Sequence, residues 1–181
     1  MKASKADILE KTVQLAGNKG WADISVREIS KAIGYSTIKI YSDFGGKDKL
    51  LFEIQKQGFA MLEEKYKKAI AGLSSPKDKL IRISIAHIRF SFEQQAYYDL
   101  MFSLNAAHCQ SDIGTIKIKV SLVIRDILKE ITTNDNKMAF LQYYSLIHGF
   151  AIVCRELPAI KPNTLDNMVK SFMLNFIKGI A

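Results

Sequence analysis

The chain of 181 residues has little of what marks several protein classes. Its two cysteines, Cys109 and Cys154, form no Cys-x-x-Cys and are too few for a disulfide scaffold, which suits a reducing compartment. Three prolines and ten glycines make no Pro/Gly-rich linker and leave room for long helices. The longest apolar run, Leu146 to Cys154, spans nine positions and contains His148. That is far short of the roughly 18 residues that cross a bilayer. The N-terminal stretch from Met1 to Asp7 is polar, with no signal-peptide core. These absences argue against a secreted, membrane-spanning or fibrous protein, and a soluble, cytoplasmic domain is expected.

Catalytic signatures are missing as well. The chain has no GxGxxG, no P-loop and no GxSxG. His87, His108 and His148 stand 21 and 40 residues apart, without the His-x-x-His, Glu-x-x-His or HExxH spacing of a metal site. Each reads as a satisfied core or surface histidine before it reads as a ligand or base. Cys109 follows His108, but adjacent helical residues do not face each other. No enzymatic activity, metal or cofactor is expected.

What remains is an ordinary globular composition, 48% hydrophobic and 24% charged, enough to build a core. Lys and Arg outnumber Asp and Glu by 26 to 18, a net charge of +8. A phosphate-bearing partner favours such a balance, because each neutralised phosphate releases counterions. The excess is spread, however: residues 1–50 hold nine basic and six acidic side chains. Charge therefore permits a nucleic-acid partner and equally fits a solubilising surface.

Apolar residues repeat at helical spacing almost everywhere. Ile8, Leu9, Thr12, Val13, Leu15 and Ala16 build a first helix that Gly20 stops. Ser25-Val26-Arg27-Glu28 is a capping box that opens a second, with Val26, Ile29 and Ile33 on one face and Gly34 at its end. Ser36 caps a short third helix to about Ser42, and Gly45-Gly46 breaks the chain before a long helix from Lys47 to about Ala71. Ser75-Pro76-Lys77-Asp78 is another strong start. Further helices are predicted at about 76–94, 96–107, 113–131, 137–156 and 164–179, about nine in total, the last two separated by Pro158 and Pro162. Thr115 to Leu122 alternates with the strand period, yet Val120, Val123, Ile124, Ile127, Leu128 and Ile131 run on at helical spacing with no turn between. A lone strand would also lack a ladder partner. The expected fold is all-α.

Residues 25–44 are the informative part. Two short helices joined by Gly34-Tyr35 have the layout of a helix-turn-helix, whose second helix enters the major groove. Ile29, Ile33 and Ile40 sit where they lock the pair together, while Thr37, Lys39 and Ser42 stay outward. Periodicity alone fits an ordinary tight helical hairpin equally well.

These residues resemble the TetR-type transcriptional repressors. The likeness runs through Ile8-Leu9, Leu15-Ala16, Gly20-Trp21, Ile24 to Ile29, Ile33-Gly34-Tyr35-Ser36, Ile40-Tyr41, Phe44 and Lys47-Asp48-Lys49-Leu50-Leu51, roughly the first 50 residues. Further on, Tyr144 to Gly149 resembles the aromatic-x-x-x-His-Gly signature of one group of TetR C-terminal domains, and Tyr97 to Phe102 sits where that group has a similar aromatic stretch. The resemblance implies a bacterial repressor with a helix-turn-helix domain of three helices over residues 1–46. A larger helical domain over 47–181 would bind an effector and dimerise. Arg27, Ser36, Thr37, Lys39, Tyr41 and Ser42 are the expected DNA contacts, with Lys47 on a phosphate beside the free amides of its helix. The recognition helix departs from the family, which has a small residue, glycine or proline, and threonine where this chain has Thr37-Ile38-Lys39. Lys39 suits a phosphate, and Ile38 offers apolar contact such as a thymine methyl accepts. Asp43 stands after Ser42 where the family favours an aromatic or histidine, so it either accepts from a cytosine amine or points away.

A symmetric dimer is expected through the last two helices. Phe140, Leu141, Tyr144, His148, Ala151 and Ile152 form a wide stripe on one, with Ser145 and Gly149 small enough for close approach. The other has two apolar lines, Met168-Phe172-Phe176 and Val169-Met173-Ile177-Ile180. The effector site is expected among His87, Phe90, Met101, Phe102, Tyr144 and His148, with the two histidines and Tyr144 orienting a small-molecule guest. The alternative is a helical ligand-binding or interaction protein whose N-terminal domain does not bind DNA.

Overall fold

The computed structural model describes residues 4–102, 110–132, 135–157 and 160–180, with the backbone alone over 110–116. Among the described residues there are nine helices and no strand. They are α1 (Lys5–Lys19), α2 (Val26–Ile33), α3 (Thr37–Phe44), α4 (Lys47–Ile70), α5 (Pro76–Glu93), α6 (Gln95–Phe102), α7 (Gln110–Ile131), α8 (Asn136–Glu156) and α9 (Pro162–Ile180). The alternating stretch Thr115 to Leu122 lies inside α7 and is helical, as its continuation demanded. His108, Cys109 and Pro158 lie outside the described residues.

Local chemistry sets the early boundaries. Ser4 and Asp7 cap each other at the start of α1, with Asp7 N 3.1 Å from Ser4 Oγ and Ser4 N 2.8 Å from Asp7 Oδ2. Ser25 and Glu28 do the same for α2, at 3.2 and 2.9 Å. Lys19 adds an ion pair to Glu28 at 2.9 Å. Gly34 ends α2 at φ 74°, the left-handed conformation that a side chain would strain. Ser36 behaves differently from expectation. It occupies the N-cap of α3, but its hydroxyl makes no capping bond, and its carbonyl accepts from Lys39 N at 3.1 Å instead.

The chain forms two compact units. The first comprises Met1–Ala60 and Gln94–Lys117. Its core gathers Ile8, Leu9, Ile24, Ile29, Ile33, Ile40, Phe44, Leu50 and Ile54, together with Leu100 from α6. Two long-range hydrogen bonds tie α6 into this core: Trp21 Nε1 donates to the Ala96 carbonyl at 2.7 Å, and buried Gln55 Nε2 to the Leu100 carbonyl at 2.8 Å. The second satisfies a buried carbonyl, which a contact away from water requires.

The second unit comprises Met61–Glu93 and Ile118–Ala181, with α5 packed on α8 and α9. Arg89 of α5 grips Asp166 of α9 with both nitrogens, Nε to Oδ1 at 2.8 Å and Nη2 to Oδ2 at 2.6 Å. The stripe expected on α8 divides. Phe140 and Ala151 turn into the unit's own core, whereas Leu141, Tyr144 and Ile152 stay exposed. The wide stripe spanned more of the helix circumference than one partner can cover. On α9 the Val169-Met173-Ile177-Ile180 line is the buried one.

Gly58 marks a close approach of α4 to α6. A Cβ there would stand 2.5 Å from Met101 Sδ and 3.2 Å from Tyr97 Cδ1. Gly58→Leu should overpack the first unit and cost about 1–3 kcal/mol. The measurement is urea unfolding, where the midpoint should fall with little change in slope.

Candidate nucleic-acid interface and buried histidine cluster

The short helix α3 is held by what it buries. Ile40 is fully buried and Phe44 nearly so, and both point into the core shared with Ile29 and Ile33 of α2. At roughly 100° per residue, the opposite side of α3 is centred on Ile38 and Ser42. Thr37 and Tyr41 lie on one flank, Lys39 and Asp43 on the other. Exposure follows this geometry: Ile38 is 75% exposed and Tyr41 57%. Thr37 and Lys39 are half-buried, and Ser36 and Ser42 are exposed. Arg27 is exposed on the first turn of α2, and Lys47 is the half-buried first residue of α4.

The seven expected DNA contacts thus lie on three helix segments of one unit, within residues 27–47. Two further features stand beside them. Lys39 Nζ is ion-paired with Asp43 Oδ2 one turn on, and this bond holds the Asp43 carboxyl below its usual range. Lys5 Nζ lies 5.6 Å from the centre of the Phe44 ring. The Lys39–Asp43 pair has the i,i+4 spacing that joins side chains on one helix face. The Lys5 contact had no signal in the sequence, since it joins the start of α1 to the end of α3.

Of the residues expected around an effector, four fall in the second unit. His87 of α5 is buried, with Nδ1 2.5 Å from Tyr66 Oη of α4. Its ring meets that of His148 edge-on, centroids 5.0 Å apart, and His148 lies 4.1 Å from the Tyr144 ring. Phe90 is fully buried on the same helix as His87. Burial first, and then neighbouring His148, hold His87 well below the ordinary histidine range, so it is neutral. Nearby, Ser84 Oγ donates to the Leu80 carbonyl at 2.7 Å, which leaves it to accept from Tyr143 Oη at 3.2 Å. Burial pushes that phenol well up. Met101 and Phe102 lie in the first unit: Met101 is fully buried, and Phe102 stands edge-on to Phe59 at 5.7 Å. Tyr66 and Ser84 escaped the sequence reading because their contacts, to His87 and Tyr143, join helices far apart in the chain.

Among the described residues no group of three or more His, Cys, Asp or Glu is placed to hold a metal ion. No helix among them is long and apolar enough to cross a membrane.

Among the described residues, this architecture places a helix-turn-helix at the head of an all-helical fold. Residues 8–54 match the family of bacterial regulatory proteins of the tetR type. Solved structures agree on the fold. PfmR, a TetR family transcriptional regulator from Thermus thermophilus, superposes with a TM-score of 0.75 at 21% identity, covering 100% of this chain and 99% of that one. The ketosteroid transcriptional regulator KstR2 of Mycobacterium tuberculosis gives 0.69 at 16% identity, covering 100% and 96%. AibR in complex with isovaleryl coenzyme A and operator DNA gives 0.77 at 14% identity, covering 93% and 96%. No curated protein matches the sequence. Over residues 8–54 the chain thus matches the tetR-type family model, and its fold is shared with solved TetR-family regulators.

The neutral state of His87 makes stability depend on pH. Its folded pKa lies below that of the unfolded chain, near 6.5. The unfolded state therefore binds the proton more readily, so stability is full above about pH 6.5 and is lost as pH falls, by at most about 1.4 kcal/mol per unit for one group. Urea midpoints measured at about pH 7.5 and about pH 5.5 should drop for the wild type and drop less for His87→Gln.

Proposed function

We propose that this chain is a ligand-responsive repressor that binds a palindromic operator as a homodimer. The observation that carries the reading is α3, locked to α2 by Ile29, Ile33 and Ile40 while its opposite side stands in solvent. A side chain on such a face is free to meet base edges. Residues 1–46 are proposed as the DNA-binding domain and 47–181 as the effector and dimerisation domain. Arg27, Ser36, Thr37, Lys39, Tyr41 and Ser42 are proposed to face the duplex. Lys47 is proposed to bind a phosphate, helped by the first amides of α4, which have no partner within the helix.

The dimer reading rests on apolar surface. On α8, Leu141, Ile152 and Val153 are 48%, 51% and 57% exposed, beside exposed Ser145 and Gly149. On α9, Met168 and Leu174 are also exposed. Exposed apolar side chains of this kind favour association. For the effector, within the second unit, His87, Tyr144 and His148 are proposed as orienting groups and Phe90 as apolar wall. The AibR complex, which holds isovaleryl coenzyme A, supports a small-molecule effector here. No acidic side chain belongs to the proposed set, so a neutral or fatty guest suits it better than a cation. A protein that binds and releases DNA in this way needs no catalytic group, and it works in the cytoplasm, where its operator is.

Two measurements test this. Lys47→Ala should weaken binding to all duplexes and lower the salt slope by about one unit, while Arg27→Ala should relax preference at one base pair. Wild-type behaviour of both across a salt titration would refute the assignment. Ile152→Lys, at an exposed position, should leave the fold intact and shift sedimentation from dimer toward monomer at micromolar concentration. A wild type already monomeric while bound to its operator would refute the dimer.

A further inference from the structure

Lys39 and Asp43 are the only charged side chains on α3, and each occupies the other. The helix gains little from either. An acid in the last turn opposes the helix dipole. Lysine placed four residues before the acid is also the weaker order of such a pair. Yet the pair is well sheltered, its side chains only 27% and 16% exposed. Ser42, the other polar side chain near the middle of the outward face, turns its hydroxyl back to the Lys39 carbonyl at 3.0 Å. The most exposed group left there is Ile38, with the Tyr41 ring beside it.

In the major groove a cation reads guanine through O6 and N7, whereas an apolar side chain reads the methyl group of thymine. Taking α3 as the DNA-reading helix proposed above, we propose that Asp43 sets its base preference. By holding Lys39 along the flank of the helix, Asp43 withdraws the amine from guanine and phosphate and leaves Ile38 to read thymine methyls. The pair survives DNA binding for a simple reason. If a phosphate took Lys39, Asp43 would be left an unpaired anion facing the DNA backbone. Lys39 is in this view a positioned residue, and base contact falls to Ile38.

The test uses the full chain and a library of random duplexes, from which bound sequences are selected and then rebuilt with deoxyuridine in place of thymidine. At least one thymine per selected site should lose about fourfold in affinity with its methyl, the worth of one buried carbon. Ile38→Ala, shown to be as helical as wild type by circular dichroism, should lose that sensitivity. Asp43→Asn should steepen the salt dependence by about one unit per reading helix, as a freed cation finds a phosphate, and should select guanine where the wild type does not. Adding Lys39→Met to Asp43→Asn should restore the wild-type slope. Tight binding that ignores deoxyuridine, or an Asp43→Asn protein with unchanged slope and sequence, overturns this inference and leaves DNA binding by α3 standing. Selection of no duplex at all overturns both.

Discussion

The first unit depends on three isoleucines. Ile29, Ile33 and Ile40 are each at most 4% exposed, and their contact holds α2 against α3. Eight residues are too few for α3 to be stable by propensity, because helix nucleation costs more than so short a ladder returns. Its existence and its orientation therefore come from one tertiary contact. Once Ile40 and Phe44 face inward, the helical period sends Ile38 and Ser42 outward with no further choice. Gly34 makes the contact reachable, since its left-handed backbone turns the chain in two residues.

Charge is distributed in a way that net balance hides. The chain carries +8, but the helix proposed to enter the groove carries a cation and an anion that occupy each other. Uncommitted positive charge stands at neighbouring helix starts, Arg27 on α2 and Lys47 on α4. Under the proposed reading this separates two tasks: cations at helix starts fix position on the backbone, and a neutral face reads the bases. A recognition helix without net charge adds little to non-specific attraction, so its contribution is almost wholly discrimination.

The second unit shows a related economy in its interior. Two pairs of its buried polar side chains stay neutral: Tyr66 with His87, and Ser84 with Tyr143. Neutral pairs avoid the desolvation cost of a buried charge while keeping each polar atom hydrogen-bonded. The one strong charged contact joining α5 to α9, Arg89 with Asp166, lies where water still reaches it. Apolar surface is treated the opposite way, with α8 burying Phe140, Tyr143 and Ile147 yet leaving Leu141, Ile152 and Val153 outside.

Much of this was legible before any coordinates. The all-α class, the Ser25–Glu28 box, the stop at Gly34 and the helical reading of Thr115 to Leu122 rest on interactions within a few residues, and such interactions are written in local spacing. Even so, the hydroxyl of Ser36 shows that a cap residue in the right place need not cap. Packing partners were a different matter. Phe140 and Ala151 share a stripe with Leu141 and Ile152 by period, and only the direction from which α5 approaches decides which of them is core. Met101 fills the hollow at Gly58, Trp21 reaches the Ala96 carbonyl, and Tyr66 reaches His87 across tens of residues of chain. Periodicity says that a helix has an apolar side; it carries no information about which neighbour will cover it, and that is settled by how the helices pack.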